Sequence, residues 1–324
     1  MRRRAFIATL LGGVALPALA QAQRPSPPRR IGILHPGDLP LTGFRTSAFL
    51  EGVHASSGLG EKDIEIRVRV AEGDLTKLPG LAADMAGERL DLLLAVSPTA
   101  VRAARTTMHS IPIVALDLES DPMANGWVAS LAKPGGNLTG IFLDFPDMRA
   151  KCLQLLSEAF GTTRIAVIWD SSTGREQIDS VLAAAEKLGL ATRVLEIDGL
   201  AAVETAFATA AREGVQSALL LSSPVIGVHT RAIAESAIRH RLAAIAVFPE
   251  FAQDGGMMAY GPDLQALYRQ AGSIAGHILR GADPGTLPVE RPTRLRFVVN
   301  LKTAEALGIT LPAATLLRAD EVIE

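Results

Sequence analysis

Apolar positions recur along this chain in two rhythms that take turns. Continuous apolar runs at 30–34, 90–96 and 111–116 have the pattern of strands buried on both faces. Between them, Leu41, Phe44, Ala48, Phe49 and Val53, and then Leu78, Leu81, Ala82 and Met85, fall at helical spacing. Residues 64–70 alternate with period two instead, which predicts a strand at a sheet edge with one wet face. Ser97 followed by Pro98 opens a helix, with Ser as cap and Pro at the first helical position. Strand then helix, repeated, is the sequence sign of a parallel sheet covered on both sides.

The same programme then runs again. Residues 164–168 echo 30–34, and the breaker loop at 169–172 follows as 35–38 follows the first strand. Ile178, Val181, Leu182, Ala185 and Leu188 line a helix that Gly189 ends. Residues 218–224 repeat 92–98, with Ser-Pro at the same point after the strand, and 244–248 match 111–116. Agreement at four places in one order predicts an internal duplication. A tail follows: a short strand at 257–260, a long helix through Leu264, Leu267, Tyr268, Ala271, Ile274, Ala275 and Ile278, a strand at 295–299 and a helix at 301–307. The fold class is therefore α/β, two Rossmann-like lobes with parallel sheets flanked by helices, joined by a three-crossing hinge. The expected lobes are 30–140 with 257–292, and 141–256 with 293–324. The bridge between them, 117–141, carries Asp-Pro, Pro-Gly-Gly-Asn and Thr-Gly steps that break regular structure.

Composition narrows the picture. With 324 residues, 48% of them apolar, the chain is long enough for about two domains. Arg2-Arg3-Arg4, an apolar run at 5–20 and small residues around Ala20 and Ala22 form the three-part pattern of a secretory signal over 1–22, with a Pro-rich tether at 23–29. The Arg pair also resembles a twin-arginine signal, so either export route is open. Removing that segment takes three of 32 basic residues and none of 34 acidic ones, leaving 29 against 34, a net of about −5. Two Trp, two Tyr and no surviving basic run leave no basis for nucleic-acid binding. The lone Cys152 excludes an internal disulfide and falls on the apolar face of a helix with Met148, Leu155, Leu156 and Ala159.

In open parallel sheets, ligands collect beyond the carboxyl ends of the strands. The candidate positions are His35, the Ser97-Pro98-Thr99 triplet, Asp117 and Asp121 in the first lobe. In the second they are Trp169, Asp170, Ser171, Ser222, Ser223, Phe248 and Glu250. Ser97, Thr99, Ser222 and Ser223, at helix starts, can hold a carboxylate or simply cap their own helices. Trp169 can wall an apolar ligand group or pack inward. Asp117, Asp121 and Glu250 suit a ligand's amine or hydroxyls, or cap the loop backbone, with an acid-base set as the further alternative, and no metal or cofactor is expected. No Gly-x-Gly-x-x-Gly turn, Walker lysine or Gly-x-Ser-x-Gly elbow follows any strand, which removes the support for dinucleotide, nucleotide and serine-hydrolase chemistry.

The run from Asp121-Pro122-Met123-Ala124-Asn125-Gly126 through Lys133-Pro134-Gly135-Gly136-Asn137-Leu138-Thr139-Gly140 resembles ABC-transporter substrate-binding proteins of the tryptophan/tyrosine-uptake-like family. The resemblance continues through Tyr260-Gly261-Pro262-Asp263, Leu287-Pro288-Val289-Glu290, Asn300-Leu301-Lys302-Thr303-Ala304 and the last eight residues. Met123, Trp127 and Lys133 depart from the commoner Val, Leu and Arg. The resemblance implies a type I periplasmic-binding-protein fold, an amino-acid-like or other small carboxylate ligand in the cleft, and a membrane permease and ATPase as partners. It also implies a carboxylate at the loop carrying Ser97-Pro98-Thr99, a periplasmic location, and no stable membrane insertion once the signal is removed. Two other readings stay open: an exported sensor for a membrane signalling protein, and a periplasmic α/β enzyme.

Overall fold

A computed structural model describes residues 27–37, 39–142 and 145–324. The expected signal segment, the first part of the tether and Asp38 of the first breaker loop lie outside the described residues, as do 143 and 144, where the sequence also predicts the end of a strand over 138–143. The first half runs β1 (Arg29–His35), α1 (Leu39–Ser57), β2 (Ile64–Val70), α2 (Leu78–Ala86), β3 (Leu92–Val96), α3 (Pro98–Thr107), β4 (Ile113–Asp117) and β5 (Leu138–Phe142). The second half has α4 (Phe145–Phe160), β6 (Arg164–Asp170), α5 (Glu176–Lys187), β7 (Ala191–Ile197), α6 (Leu200–Arg212), β8 (Ser217–Leu220), α7 (Pro224–Val228), α8 (Thr230–Arg239), β9 (Ala243–Ala246) and α9 (Pro249–Gln253). The tail comprises β10 (Met258–Pro262), α10 (Leu264–Leu279), β11 (Leu295–Asn300), α11 (Leu301–Leu307), α12 (Ala313–Leu316) and β12 (Glu321–Ile323).

Among the described residues the strands make two sheets. One is wholly parallel, in the order β2-β1-β3-β4-β5. The other runs β12-β11-β10-β9-β8-β6-β7 and is parallel except where β10 meets β11. Every residue of β3, β4 and β5 is buried, which is why 92–96 and 113–116 read as unbroken apolar runs. The strictly alternating β2 stands at an edge, as its pattern predicts.

The tail departs from the expected division into lobes. Residues 257–262 were expected in the first lobe, yet β10 pairs with β9 at Met258↔Ile245 and Ala259↔Ala246 and with β11 along its whole length, so it belongs to the second sheet. A buried strand must satisfy its backbone N–H and C=O groups on both sides, and here both neighbours are in that sheet. The crossing back therefore falls at Pro262–Leu264. From there α10 lies along α1 and adds Leu264, Leu267, Tyr268, Ala271 and Ile274 to the core beneath the first sheet. A last crossing leads from Glu290 to β11. The strand ends of both sheets thus face one another across the cleft.

Candidate functional site

Between the two sets of strand ends lies a cavity with about 590 Å3 of empty space, counting the part open to bulk water. From the first lobe it takes His35 at the end of β1, Arg45 on α1, Ser97 after β3, Leu118 and Glu119 after β4, and Leu264 and Tyr268 on α10. The second lobe contributes Ser223 after β8, Val228 and Thr230 from α7 and α8, and Phe248 and Glu250 around the start of α9. Its walls are mostly apolar and aromatic, with a few ionisable groups set into them, the composition typical of a small-molecule site.

Those groups are unusual. Arg45 is 8% exposed and sits over the rings of Phe44 and Tyr268, 5.5 and 6.0 Å from their centroids. Its Nη1 approaches His35 Nε2 at 3.1 Å, while Gly37 N–H points at His35 Nδ1 at 2.9 Å. Burial, reinforced by the Arg45 charge, pushes the His35 pKa down to about 3, so the imidazole is neutral. A neutral imidazole has one accepting nitrogen for two donors, so one contact sets N–H against N–H. The buried Arg45 Nε also has no acceptor. This corner of the cavity is short of acceptors, which a ligand carboxylate would supply.

The opposite need is met by acids. Glu250, in the first turn of α9, is held up in pKa by burial, and its Oε2 has no partner. Glu119, 7% exposed, reaches across the cleft and accepts a hydrogen bond from Ser222 Oγ of the other lobe. Asp117 is wholly buried behind it, and its Oδ1 accepts from the backbone N–H of Glu119 and of Ser120, both at 3.0 Å. Burial raises both carboxyls, and the Asp117 charge raises Glu119 further.

The sequence-derived candidates divide. His35, Ser97, Ser223, Phe248 and Glu250 line the cavity. Both serines also cap: Ser97 Oγ accepts from Ala100 N at 3.4 Å and Ser223 Oγ from Ile226 N at 3.2 Å. Ser97 does so at φ +89°, a conformation costly for a residue with a Cβ and concentrated at functional sites. Pro98 and Thr99 fall outside the wall, turned into the first residues of α3. Asp117 and Ser222 stand behind Glu119 without lining the cavity. Asp121 is exposed, accepts from Met123 N and Ala124 N, and borders a second hollow of about 870 Å3 on the far side of Glu119.

Trp169, Asp170 and Ser171 are not in the cavity wall. The Trp169 ring joins the core of the second lobe and its Nε1 donates to Gly174 O at 2.9 Å; Asp170 caps its own turn through Ser172 N, and Ser171 points to solvent. The residues that sequence reasoning missed are Arg45, Glu119, Thr230 and Tyr268. Among the described residues no group of His, Cys, Asp and Glu is placed to hold a metal ion.

Residues 45–323 match the model of the family described as ABC transporter substrate binding protein. The chain belongs to that family. It is 25% identical over 285 residues to a tyrosine-binding protein of Clostridioides difficile, covering 87% of this chain and 81% of that one. Among solved structures it resembles the ABC domain in complex with L-Trp from Streptococcus pneumonia, with a TM-score of 0.83 at 22% identity over 91% of this chain and all of that one. It also resembles the ligand-free, open structure of a substrate-binding protein with adhesive properties from Clostridium difficile, with a TM-score of 0.66 at 22% identity over 91% and 99% of the two chains. The fold is thus that of the type I periplasmic binding proteins, as the sequence resemblance implied.

Proposed function

We propose that this chain is an exported receptor that closes its lobes around a zwitterionic, amino-acid-like solute with an apolar or aromatic side chain and delivers it to the permease and ATPase of an ABC importer. One observation carries the reading: the cavity pairs an acceptor-starved corner at Arg45 and His35 with the buried carboxyl of Glu119 and the half-buried one of Glu250, between walls that include Phe248 and Tyr268. A carboxylate and an ammonium on one small molecule answer both needs. The tyrosine- and L-Trp-binding relatives point to the same chemistry. Capture here is binding without bond making, with contacts from both lobes stabilising the closed state.

The test is a thermal-shift and calorimetric screen of the purified protein against the amino acids, small carboxylates and polyols. A ligand present at 100 times its Kd adds about 2.7 kcal/mol to the folded state, a rise of several degrees in Tm. Aromatic amino acids are expected to give the largest rise. A screen in which no amino acid moves Tm, or in which a captured solute is turned over, counts against the reading.

A further inference from the structure

We propose that Glu119 is the residue by which this receptor selects a protonated amine, and that taking one up sends a proton from the cleft into bulk water. The inference rests on the amino-acid reading above and adds to it which group does the selecting and what accompanies capture.

Glu119 forms part of the wall between the two hollows and lines both. Its Oε1 is held by the Ser222 hydroxyl, and Ser222 is itself fixed by Gln177, whose Nε2 donates to Ser222 O at 2.8 Å. Asp117, two residues earlier, has spent Oδ1 on two backbone N–H groups, and its buried Oδ2 has no partner. Two carboxyls thus share one buried turn, and among the described residues their hydrogen-bond donors, the Glu119 and Ser120 N–H groups and the Ser222 hydroxyl, are neutral. On the cavity side Glu119 faces Arg45 of α1, neutral His35 of β1, Tyr268 of α10 and a third carboxyl, Glu250 of α9. On the side of the second hollow Glu119 faces Arg149 of α4 and Glu176 of α5, with Asp121, Glu290 and Arg291 at its margin. Arg149 donates to Ser180, and among the described residues Arg45 is the one cation in the cavity lining.

Two ionised carboxylates so close and so poorly hydrated are unfavourable, so the pair retains a proton around neutral pH. An ammonium brought beside Glu119 reverses that preference. The balance is a protonated carboxyl and an ammonium going to a carboxylate–ammonium pair, with one proton released to water. The sign follows: the free receptor binds the extra proton, so affinity for an amine rises with pH. It falls about tenfold for each unit of acidification across the range in which release is complete. A ligand that lacks the amine gains nothing from deprotonating Glu119.

Titration calorimetry with L-tryptophan and with its des-amino counterpart, 3-(indol-3-yl)propanoate, tests this in phosphate and in Tris at pH 7. The difference in observed enthalpy between buffers reports the protons exchanged. We expect release approaching one proton for L-tryptophan, a Kd about tenfold weaker at pH 6 than at pH 7, and none of either for the des-amino acid. Glu119→Gln should remove the release and flatten the pH profile. Asp117→Asn should move the rise in affinity to lower pH, because the neighbouring charge that resists ionisation is gone. L-tryptophan binding without proton exchange, or release undiminished in Glu119→Gln, overturns the proposal alone. An absence of binding by every amine in the screen overturns the amino-acid reading, and this proposal with it.

Discussion

Replacing Gly272 by Ala separates local propensity from packing, because the two forces predict opposite signs. Gly272 lies inside α10, where Ala is intrinsically favoured by about 1 kcal/mol. A Cβ there, however, would stand 1.9 Å from Phe49 O, 2.9 Å from Phe49 C and 3.0 Å from Val53 N, all backbone atoms of α1. No side-chain rotation relieves that contact. Restoring a C···O approach of ~3.3 Å requires α10 to retreat from α1 by about 1.4 Å. Overpacking costs about 1–3 kcal/mol, and a backbone contact that only a helix shift relieves lies in the upper part of that range, about 2–3, leaving a net loss of ~1–2 kcal/mol after the propensity gain and a fall in Tm of roughly 2–6 °C. Tyr268 is one turn earlier on the same face of α10 and lines the cavity, so the retreat also withdraws its ring. Capture of an aromatic amino acid should weaken about fivefold or more, equivalent to ~1 kcal/mol. Gly43, inside α1 with nothing within 4 Å of its would-be Cβ, is the matched control, and Gly43→Ala should raise stability slightly. Differential scanning fluorimetry and titration calorimetry on both variants decide it. A Gly272→Ala protein that melts at or above the parent and binds as well refutes the account of the α1–α10 contact.

Three further outcomes follow from the same geometry. Arg45→Met removes the buried guanidinium, and a charge-assisted bond worth about 1.5–3 kcal/mol goes with it, so calorimetry should show amino-acid affinity reduced roughly 10- to 150-fold. Because folding lowers the His35 pKa from 6.5 to about 3, the unfolded chain binds the proton first, and stability from this group is present above pH 6.5 and lost as pH falls towards 3. Acidification from pH 6.5 to 4.5 should cost on the order of 2–3 kcal/mol through it, and the slope of Tm against pH in that window should flatten in His35→Gln. Burial pushes the Cys152 thiol up to about 12, so the native protein should resist iodoacetamide at pH 8 while the urea-unfolded chain is alkylated at once, as intact-mass spectra would show.

Much of the fold was legible because burial leaves a period. The apolar runs became β1, β3, β4, β6 and β8, and the alternation of 64–70 became the edge strand β2. One edge strand of the second sheet, β7, leaves no such trace: Thr192, Arg193 and Glu196 interrupt its apolar residues, so neither rhythm emerges. The lobe that β10 joins was not legible at all, since pattern shows that a strand is buried but not which backbone it pairs with. The site followed the same logic. Strand ends located His35, Ser97, Ser223, Phe248 and Glu250, but Trp169 and Asp170 show that a strand-end position does not fix where a side chain turns. Arg45 left a signal that could have been read, because it lies three and four residues before Ala48 and Phe49, on the inward stripe of α1, where a charge needs a reason.

The segment that carries the family resemblance and Glu119, which lines the cavity, belong to different parts of one loop. Residues 131–142 are fixed to the 285–290 strip: Gly135 N donates to Gly285 O, Val289 N to Leu131 O, Thr139 Oγ1 to Leu287 O, Glu290 N to Gly140 O and Phe142 N to Glu290 O. Gly140 is held at φ +147°, and a Cβ there would lie 2.0 Å from Ala115 O, so no other residue fits between β5 and β4. Backbone-to-backbone constraints of this kind tie sequence to geometry position by position, which is how a stretch beside the crossings comes to read as a signature. The front of the loop is constrained differently. Asp117 anchors the turn through its side chain, and what the turn presents is Glu119, whose carboxyl meets Ser222 across the cleft. Its neighbours in the cavity come from α1, α9 and α10, far apart in the chain, so ligand choice can change one side chain at a time while the hinge and the signature remain intact.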